Sequence, residues 1–293
     1  MKTLNDPIEL AAKLEKIVCK GNKRRYFRFG MTPDYGTGIA TGYTVGCNLR
    51  CVFCWASETR DCPEMAKSFY SPEEVFNKLY EIAKKHPKIN KVRISDGEPT
   101  IGRDHLLGLI ELVERSDIGK FYLETNGTLL GNDESYVREL SKFRKIVVRV
   151  SLKGGTPEAF SKITHALPEA FELPFQAISS LNKYKIDFNV SAMSGDPRFM
   201  SPLDRISLLS KLGMIDPALV MKLEEEFTIL FPTARKRLEA DGWVNNEIKL
   251  PFYLRGPLRK FVQISYEPAC SFAKTKISFK NTLKNIIQLK HGI

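Results

Sequence analysis

Three cysteines crowd into the stretch GCNLRCVFCW, where Cys47, Cys51 and Cys54 stand at the spacing C-x3-C-x2-C. A structural zinc ion wants four ligands in a closed tetrahedron, usually as two close pairs. Cys62 lies eight residues beyond Cys54, past the charged run SETRD, and makes a poor fourth. Three merely buried cysteines would not have polar Asn48 and Arg50 set between them. A [4Fe–4S] cluster held by three thiolates fits the count, because it leaves one iron open for a further ligand. Cys47, Cys51 and Cys54 are therefore the candidate metal ligands, and the isolated Cys19, Cys62 and Cys270 are read as non-ligands.

No apolar run reaches the roughly 18 residues that span a bilayer. The N-terminus, MKTLNDPIELAAKLEKI, lacks the apolar core and cleavage site of a signal peptide. A cytoplasmic protein with no membrane partner is expected, as a monomer. The net charge is +11. Much of it is local: KGNKRRYFR carries Lys20, Lys23, Arg24, Arg25 and Arg28, and the tail carries Lys274, Lys276, Lys280, Lys284 and Lys290. Such clusters hold phosphates or an acidic protein, or are simply a solvated basic surface.

Strand and helix signals alternate along the chain. GIATGYTV (38–45) reads as a strand that delivers the cysteines. Ser71-Pro72-Glu73-Glu74 opens a helix with a capping box, and Val75, Phe76, Leu79, Ile82 and Ala83 form its apolar face. Further strands are read at 91–95, 120–124, 146–152 and 186–193, with helices at 104–114, 134–143, from Thr156-Pro157, and at 175–184. This βα repetition predicts an α/β fold with a parallel sheet. About six such units are too few to close an eight-stranded barrel, so an open, partial TIM-type barrel is expected. Three segments result: a basic N-terminal extension (1–37), a partial-barrel core (38–200) and a mostly helical C-terminal extension with its basic tail (201–293). In that last segment, helices are read from Ser201 to Lys211, from Asp216 through Glu226 and from Arg235 to Ala240, with a late strand at FVQISY (261–266).

In such sheets the chemistry sits at the C-terminal strand ends. The polar motifs fall there: Ser95-Asp96-Gly97-Glu98-Pro99, Glu124-Thr125-Asn126-Gly127, Ser151-Leu152-Lys153, and Asn189 with Ser191. Each alone also reads as a turn. Asp96 and Asn126 in particular suit turn roles. His86, His105, His165 and His291 share no motif and read as surface or helix histidines, and Trp55 as a shield for the cluster or a core residue.

C-x3-C-x2-C after the first strand, with Phe53 before its last cysteine, followed by Gly97-Glu98-Pro99 after the second strand, resembles the radical S-adenosylmethionine (SAM) superfamily over about residues 38–195. The resemblance implies two cofactors, a [4Fe–4S] cluster and SAM. It implies that Cys47, Cys51 and Cys54 hold three irons while SAM chelates the fourth. Gly97, Glu98 and Pro99 then meet the methionyl amine, with the Glu98 carboxylate among the acceptors. Phe53 suits the adenine. Ser151 and Lys153 reach the ribose and carboxylate, and Asn189 the ribose. Asn126 is a further candidate facing the cofactor. A reduced cluster would cleave SAM to a 5′-deoxyadenosyl radical that takes hydrogen from the substrate. The electron would come from a low-potential donor such as ferredoxin or flavodoxin.

The substrate is read as macromolecular. The single cluster and Ser-Leu-Lys resemble activating enzymes of the pyruvate formate-lyase type, with the departure that Ser151 stands where those have an acid. Cys-Val-Phe-Cys-Trp and Gly-Glu-Pro-Thr also resemble wyosine-forming tRNA enzymes, which makes RNA modification the alternative. A metal-stabilised nucleic-acid-binding module is the remaining, non-enzymatic reading. The lack of a second cysteine cluster argues against auxiliary iron–sulfur chemistry.

Overall fold

The computed structural model describes residues 3–243. Helix α1 (Pro7–Val18) leads through β1 (Cys19–Lys20) into β2 (Lys23–Thr32) and β3 (Ile39–Thr44), which carries the chain to the cysteine loop. Then follow β4 (Phe69–Tyr70), α2 (Pro72–Lys85), β5 (Lys91–Ser95), α3 (Arg103–Arg115) and β6 (Lys120–Thr125). Next come α4 (Thr128–Asn132), α5 (Glu134–Leu140), β7 (Ile146–Leu152), α6 (Pro157–Thr164), α7 (Leu173–Lys183) and β8 (Asp187–Ala192). The described chain ends with α8 (Pro202–Ile215), α9 (Pro217–Lys222), β9 (Glu224–Glu225) and α10 (Pro232–Ala240).

Six strands run parallel in chain order, β3-β5-β6-β7-β8-β9, and β2 lies antiparallel on the free edge of β3. Helices connect each parallel pair. One face of every strand supplies the core: Val92 and Ile94, Phe121 and Leu123, Val148 and Val150, Val190 and Ala192 pack with Val75, Leu79, Leu109, Val137 and Ile178 of the helices. Because side chains alternate along a strand, the other face carries what remains. Tyr43, Ser95, Arg149 and Asn189 fall on it, as do Ser151 and Ser191, and it forms the concave, polar side of an open α/β barrel. The capping box of α2 is present, with the Ser71 amide donating to the Glu74 carboxylate at 2.7 Å and the Glu74 amide to the Ser71 hydroxyl at 3.3 Å.

Three expectations change. The helix read from Asp216 through Glu226 stops at Lys222, and residues 224–225 form β9, parallel to β8. The reason is Arg149, a guanidinium 3% exposed in the middle of β7. It pairs with Glu224 at 3.0 Å and Glu226 at 2.7 Å. Carboxylates at i and i+2 reach one partner from an extended chain and not from a helix, and a buried charge enforces its pairing.

The basic segment is the second change. Within the stretch expected as an extension, 23–32 is a sheet strand. Arg24 is fully buried, with its guanidinium on the carbonyls of Val45 (3.4 Å) and Glu98 (2.9 Å). Arg25 lies over the Phe69 ring and donates to Ile17 and Ala66 carbonyls. Lys20, Lys23 and Arg28 remain exposed. Third, His105 is in a helix as read but is not at the surface: it is buried between the Tyr26 hydroxyl (2.9 Å) and the Asn22 carbonyl (2.8 Å). The expected strand at 261–266, the lysine-rich tail, Cys270 and His291 lie outside the described residues. No helix among the described residues is long and apolar enough to cross a membrane.

Candidate active site

The cysteine loop leaves β3 at Val45 and turns back over the C-terminal strand ends. Its backbone is tied to α6: the Arg50 and Val52 amides donate to the carbonyls of Thr164 (2.8 Å) and Ile163 (3.0 Å). Cys51 is buried, while Cys47 and Cys54 are half-buried. Burial, then the neighbouring Glu98 carboxylate and the Cys51 thiol, push the Cys47 thiol up to about 12. Burial also raises Cys51, against the nearby Lys153 ammonium. Thiols so placed become thiolates only with a cation beside them, and a bound metal supplies that charge. The donor set therefore fits an iron–sulfur cluster. Among the described residues, no three Cys, His, Asp or Glu side chains converge on one metal ion.

The Gly-Glu-Pro turn packs directly under this loop. Gly97 has φ +50°, and a Cβ there would lie 2.5 Å from the Gly46 carbonyl oxygen, so only glycine allows the approach. The Glu98 amide donates to that same carbonyl at 2.8 Å. Glu98 itself is 1% exposed. Its carboxylate accepts four hydrogen bonds: from the Thr100 amide (3.1 Å), the Thr100 hydroxyl (2.7 Å), the Thr125 hydroxyl (2.7 Å) and the Asn126 amide (2.8 Å). Three of these bonds fall on Oε1 and one, from Asn126, on Oε2. Each carboxylate oxygen has about two lone-pair sites, so the chain crowds Oε1 and leaves one site of Oε2. Glu98 ties the β5 turn to the β6 turn.

Asn126 continues that network. Its side-chain amide donates to the Asn48 side-chain oxygen Oδ1 at 2.8 Å, and its own Oδ1 accepts from the Thr128 amide (2.9 Å) and hydroxyl (2.7 Å). Asn48 in turn donates to the Pro7 carbonyl at 3.0 Å and to Thr128 at 2.9 Å. The turn reading of Asn126 thus accounts for its contacts. They also link the start of α1, the cysteine loop and β6, and its amide stands 4.0 Å from the Cys47 sulfur.

Across the mouth, Lys153 donates to the Ser151 hydroxyl at 2.6 Å and sits 5.7 Å above the Phe53 ring. Ser191 lies beside Ser151 in register, and Asn189 lies two residues deeper, level with Arg149. Asn189 donates to Glu224 at 2.8 Å, but its carbonyl oxygen, like the Ser191 hydroxyl, is buried without a partner. The fold therefore gathers Phe53, Ser151 and Lys153 around the cysteines. It uses Glu98 and Asn126 as a bracket beneath them and sets Asn189 lower in the barrel.

Two groups escaped the sequence reading. On the concave face Arg93, 2% exposed, meets Glu124 at 3.1 Å and Asp34 at 2.9 Å, next to the Arg149–Glu224–Glu226 set. The signal was a lone charge inside an apolar strand, as in KVRIS and IVVRVSL. Around the cysteine loop, Arg50, Arg60 and Arg237 gather on Asp61. Partial burial raises the Asp61 carboxyl, but the contacts with Arg60, Arg237 and Arg50 outweigh it and hold it below the usual range. Only Arg50 and Arg60 were close enough in sequence to suggest this.

A profile of the Radical SAM superfamily matches residues 42–199, more than half of the chain. The chain belongs to the radical SAM superfamily. It is an enzyme family, and its members use SAM, a [4Fe–4S] cluster and an electron donor. A Thermococcus kodakarensis protein named a probable GTP 3′,8-cyclase is 30% identical over 174 residues, covering 58% of this chain and 51% of that one. A Methanocaldococcus jannaschii protein, assigned by name as a glycyl-radical enzyme activating enzyme, is 28% identical over 147 residues, or 50% of each chain. This radical SAM chain spans about half the length of these curated relatives. Among solved structures, Streptococcus suis SuiB bound to precursor peptide SuiA superimposes with a TM-score of 0.52 at 17% identity, covering 78% of this chain and 46% of SuiB. That likeness carries the radical SAM partial-barrel fold.

Proposed function

We propose that this chain uses Cys47, Cys51 and Cys54 to hold a [4Fe–4S] cluster, cleaves SAM reductively and removes hydrogen from a protein segment. The observation that carries the reading is the meeting, at the C-terminal ends of parallel strands, of the cysteine loop with the Lys153–Ser151 pair and the Glu98–Asn126 bracket. A cluster held by Cys47, Cys51 and Cys54 would supply the single electron for reductive cleavage of the C5′–S bond of SAM. The chain does the rest. Lys153 offers its ammonium to the SAM carboxylate, a charge-assisted contact. Phe53, buried against Phe199 with Lys153 over its ring, offers the adenine its backbone. Ser151, Ser191 and the free oxygen of Asn189 supply polar atoms for the ribose. The Glu98 carbonyl accepts from Arg24 and Ile101, so the carbonyls of Gly97 and Pro99 are the ones that meet the methionyl amine. Residues 38–200 make up the proposed catalytic core.

A protein segment is favoured by the similarity to a protein assigned as a glycyl-radical activating enzyme. Of the N-terminal basic residues that suit the alternative of RNA, Arg24 is buried and Arg25 is occupied, while Lys20, Lys23 and Arg28 stay exposed. A nucleotide is the second reading, favoured by the 30% identity to a probable GTP 3′,8-cyclase. The test is anaerobic reconstitution, then reduction with dithionite and SAM while methionine and 5′-deoxyadenosine are measured. A cell protein fraction should stimulate cleavage and acquire deuterium exchange or a radical signal, whereas GTP should not. Stimulation by GTP alone selects the second reading, and no cleavage by a protein holding about four irons per chain rejects both.

A further inference from the structure

The carbonyls of the three cysteines share a feature. Each accepts a hydrogen bond from a different arginine: Cys47 from Arg50, Cys51 from Arg60 at 2.8 Å, and Cys54 from Arg237 at 2.7 Å. Arg237 also donates to the Ser57 carbonyl at 3.2 Å, and its neighbour on α10, Thr233, donates to the Trp55 carbonyl at 2.8 Å. All three guanidinium groups then meet one carboxylate. Asp61 accepts from Arg60 at 2.9 and 2.8 Å and from Arg237 at 3.1 Å, and pairs with Arg50 at 3.3 Å.

The charge count is three positive groups and one negative, so the assembly carries +2 against three thiolates. Arg60 is buried, so water screens its charge little. A planar guanidinium, with donors fixed in a fork, can hold a carbonyl and a carboxylate at once, which a lysine ammonium does less well. Two of the arginines come from the cysteine loop and its continuation. The third comes from α10, on the far side of the barrel core in sequence. The loop is thus held in shape partly by a residue that no local motif contains.

We propose that Arg50, Arg60 and Arg237, gathered by Asp61, are positioning residues that fix the shape of the cysteine loop and set the reduction potential of the cluster it holds. Reduction adds one negative charge to the cluster, and fixed positive charge beside it favours that state. Removing an arginine lowers the potential, and removing the Asp61 charge raises it. A purely structural role predicts no such opposition of sign, because either change would only loosen the loop.

The inference rests on the cysteines being cluster ligands, and the parent enzyme tests that first: a reconstituted parent without about four irons per chain ends that reading before any variant is measured. With the iron in place, the midpoint potentials of Asp61→Asn and Arg237→Gln are read by anaerobic electron paramagnetic resonance titration. The expected result is a change of about tenfold in the reduction equilibrium in each, or ~59 mV for one electron, upward for Asp61→Asn and downward for Arg237→Gln. Both variants should also lose iron to a chelator faster than the parent. If Arg237→Gln takes up no iron, Arg50→Gln takes its place, and it too should lower the potential. Shifts of the same sign, or potentials unmoved in both variants, overturn it.

Discussion

Glu98→Ala tests whether the Gly-Glu-Pro carboxylate is a bracket or a ligand. The parent carboxylate satisfies two backbone amides, Thr100 and Asn126, and two hydroxyls, Thr100 and Thr125. The hydroxyls can rotate to other acceptors. The amides cannot, and each stranded buried donor costs roughly 1–3 kcal/mol, so the pair costs about 2–6 kcal/mol. For a chain of this size a kcal/mol moves the midpoint of thermal unfolding by about 2–4 °C, which gives a fall of roughly 4 to 24 °C. Glu98→Gln keeps one acceptor oxygen and turns an NH2 group toward one of the amides. It strands one donor, at about 1–3 kcal/mol, and should fall between the parent and the alanine variant. The assay is thermal unfolding followed by circular dichroism, with SAM affinity measured below the transition. An alanine variant that unfolds within about 1 °C of the parent, a shift too small for even one stranded donor, would refute the bracket. If that variant also lost SAM, the carboxylate would be a direct ligand.

Lys153→Ala should retain its iron and bind SAM about 10- to 100-fold more weakly, the worth of one charge-assisted contact, as read by equilibrium binding; unchanged affinity removes Lys153 from the site. Burial depresses His105 from 6.5 to about 4, so it folds neutral. The unfolded chain takes up a proton first as pH falls, so stability held above pH 6.5 drains away toward pH 4, by about 3 kcal/mol in all. His105→Gln should flatten denaturant midpoints across that window, and an equally steep profile would discount the histidine. Arg24→Ala should lower the unfolding midpoint, whereas Lys23→Ala should leave it within about 0.5 kcal/mol of the parent, as surface changes do; equal effects would place Arg24 at the surface. Cys19→Ser and Cys62→Ser should each keep the full iron content, and loss of iron in Cys62→Ser would revive a four-thiolate site.

The order of elements was legible because it rests on short-range rules. The capping box at Ser71–Glu74 and the 2-residue and 3.6-residue periodicities are set by neighbours in sequence. The cysteine spacing was legible for the same reason, since one loop must present all three thiolates. Charged residues were not. KGNKRRYFR reads as a basic patch, yet Arg24 is buried on two carbonyls, because β2 pairs with β3 and alternate side chains must point inward. Glu98 read as a ligand for SAM, and only the approach of the β6 turn shows that its carboxylate also bonds Thr125 and Asn126. Glu224 and Glu226 sat in a good helical pattern until the buried Arg149, some 75 residues earlier, drew them into a strand. The sequence by itself determined the parallel βα architecture and the three-cysteine loop, through local periodicity and spacing. The tertiary structure alone decided which charges are spent inside the protein and which are left for a cofactor, because a buried charge takes whatever partner the fold brings to it, at any distance along the chain.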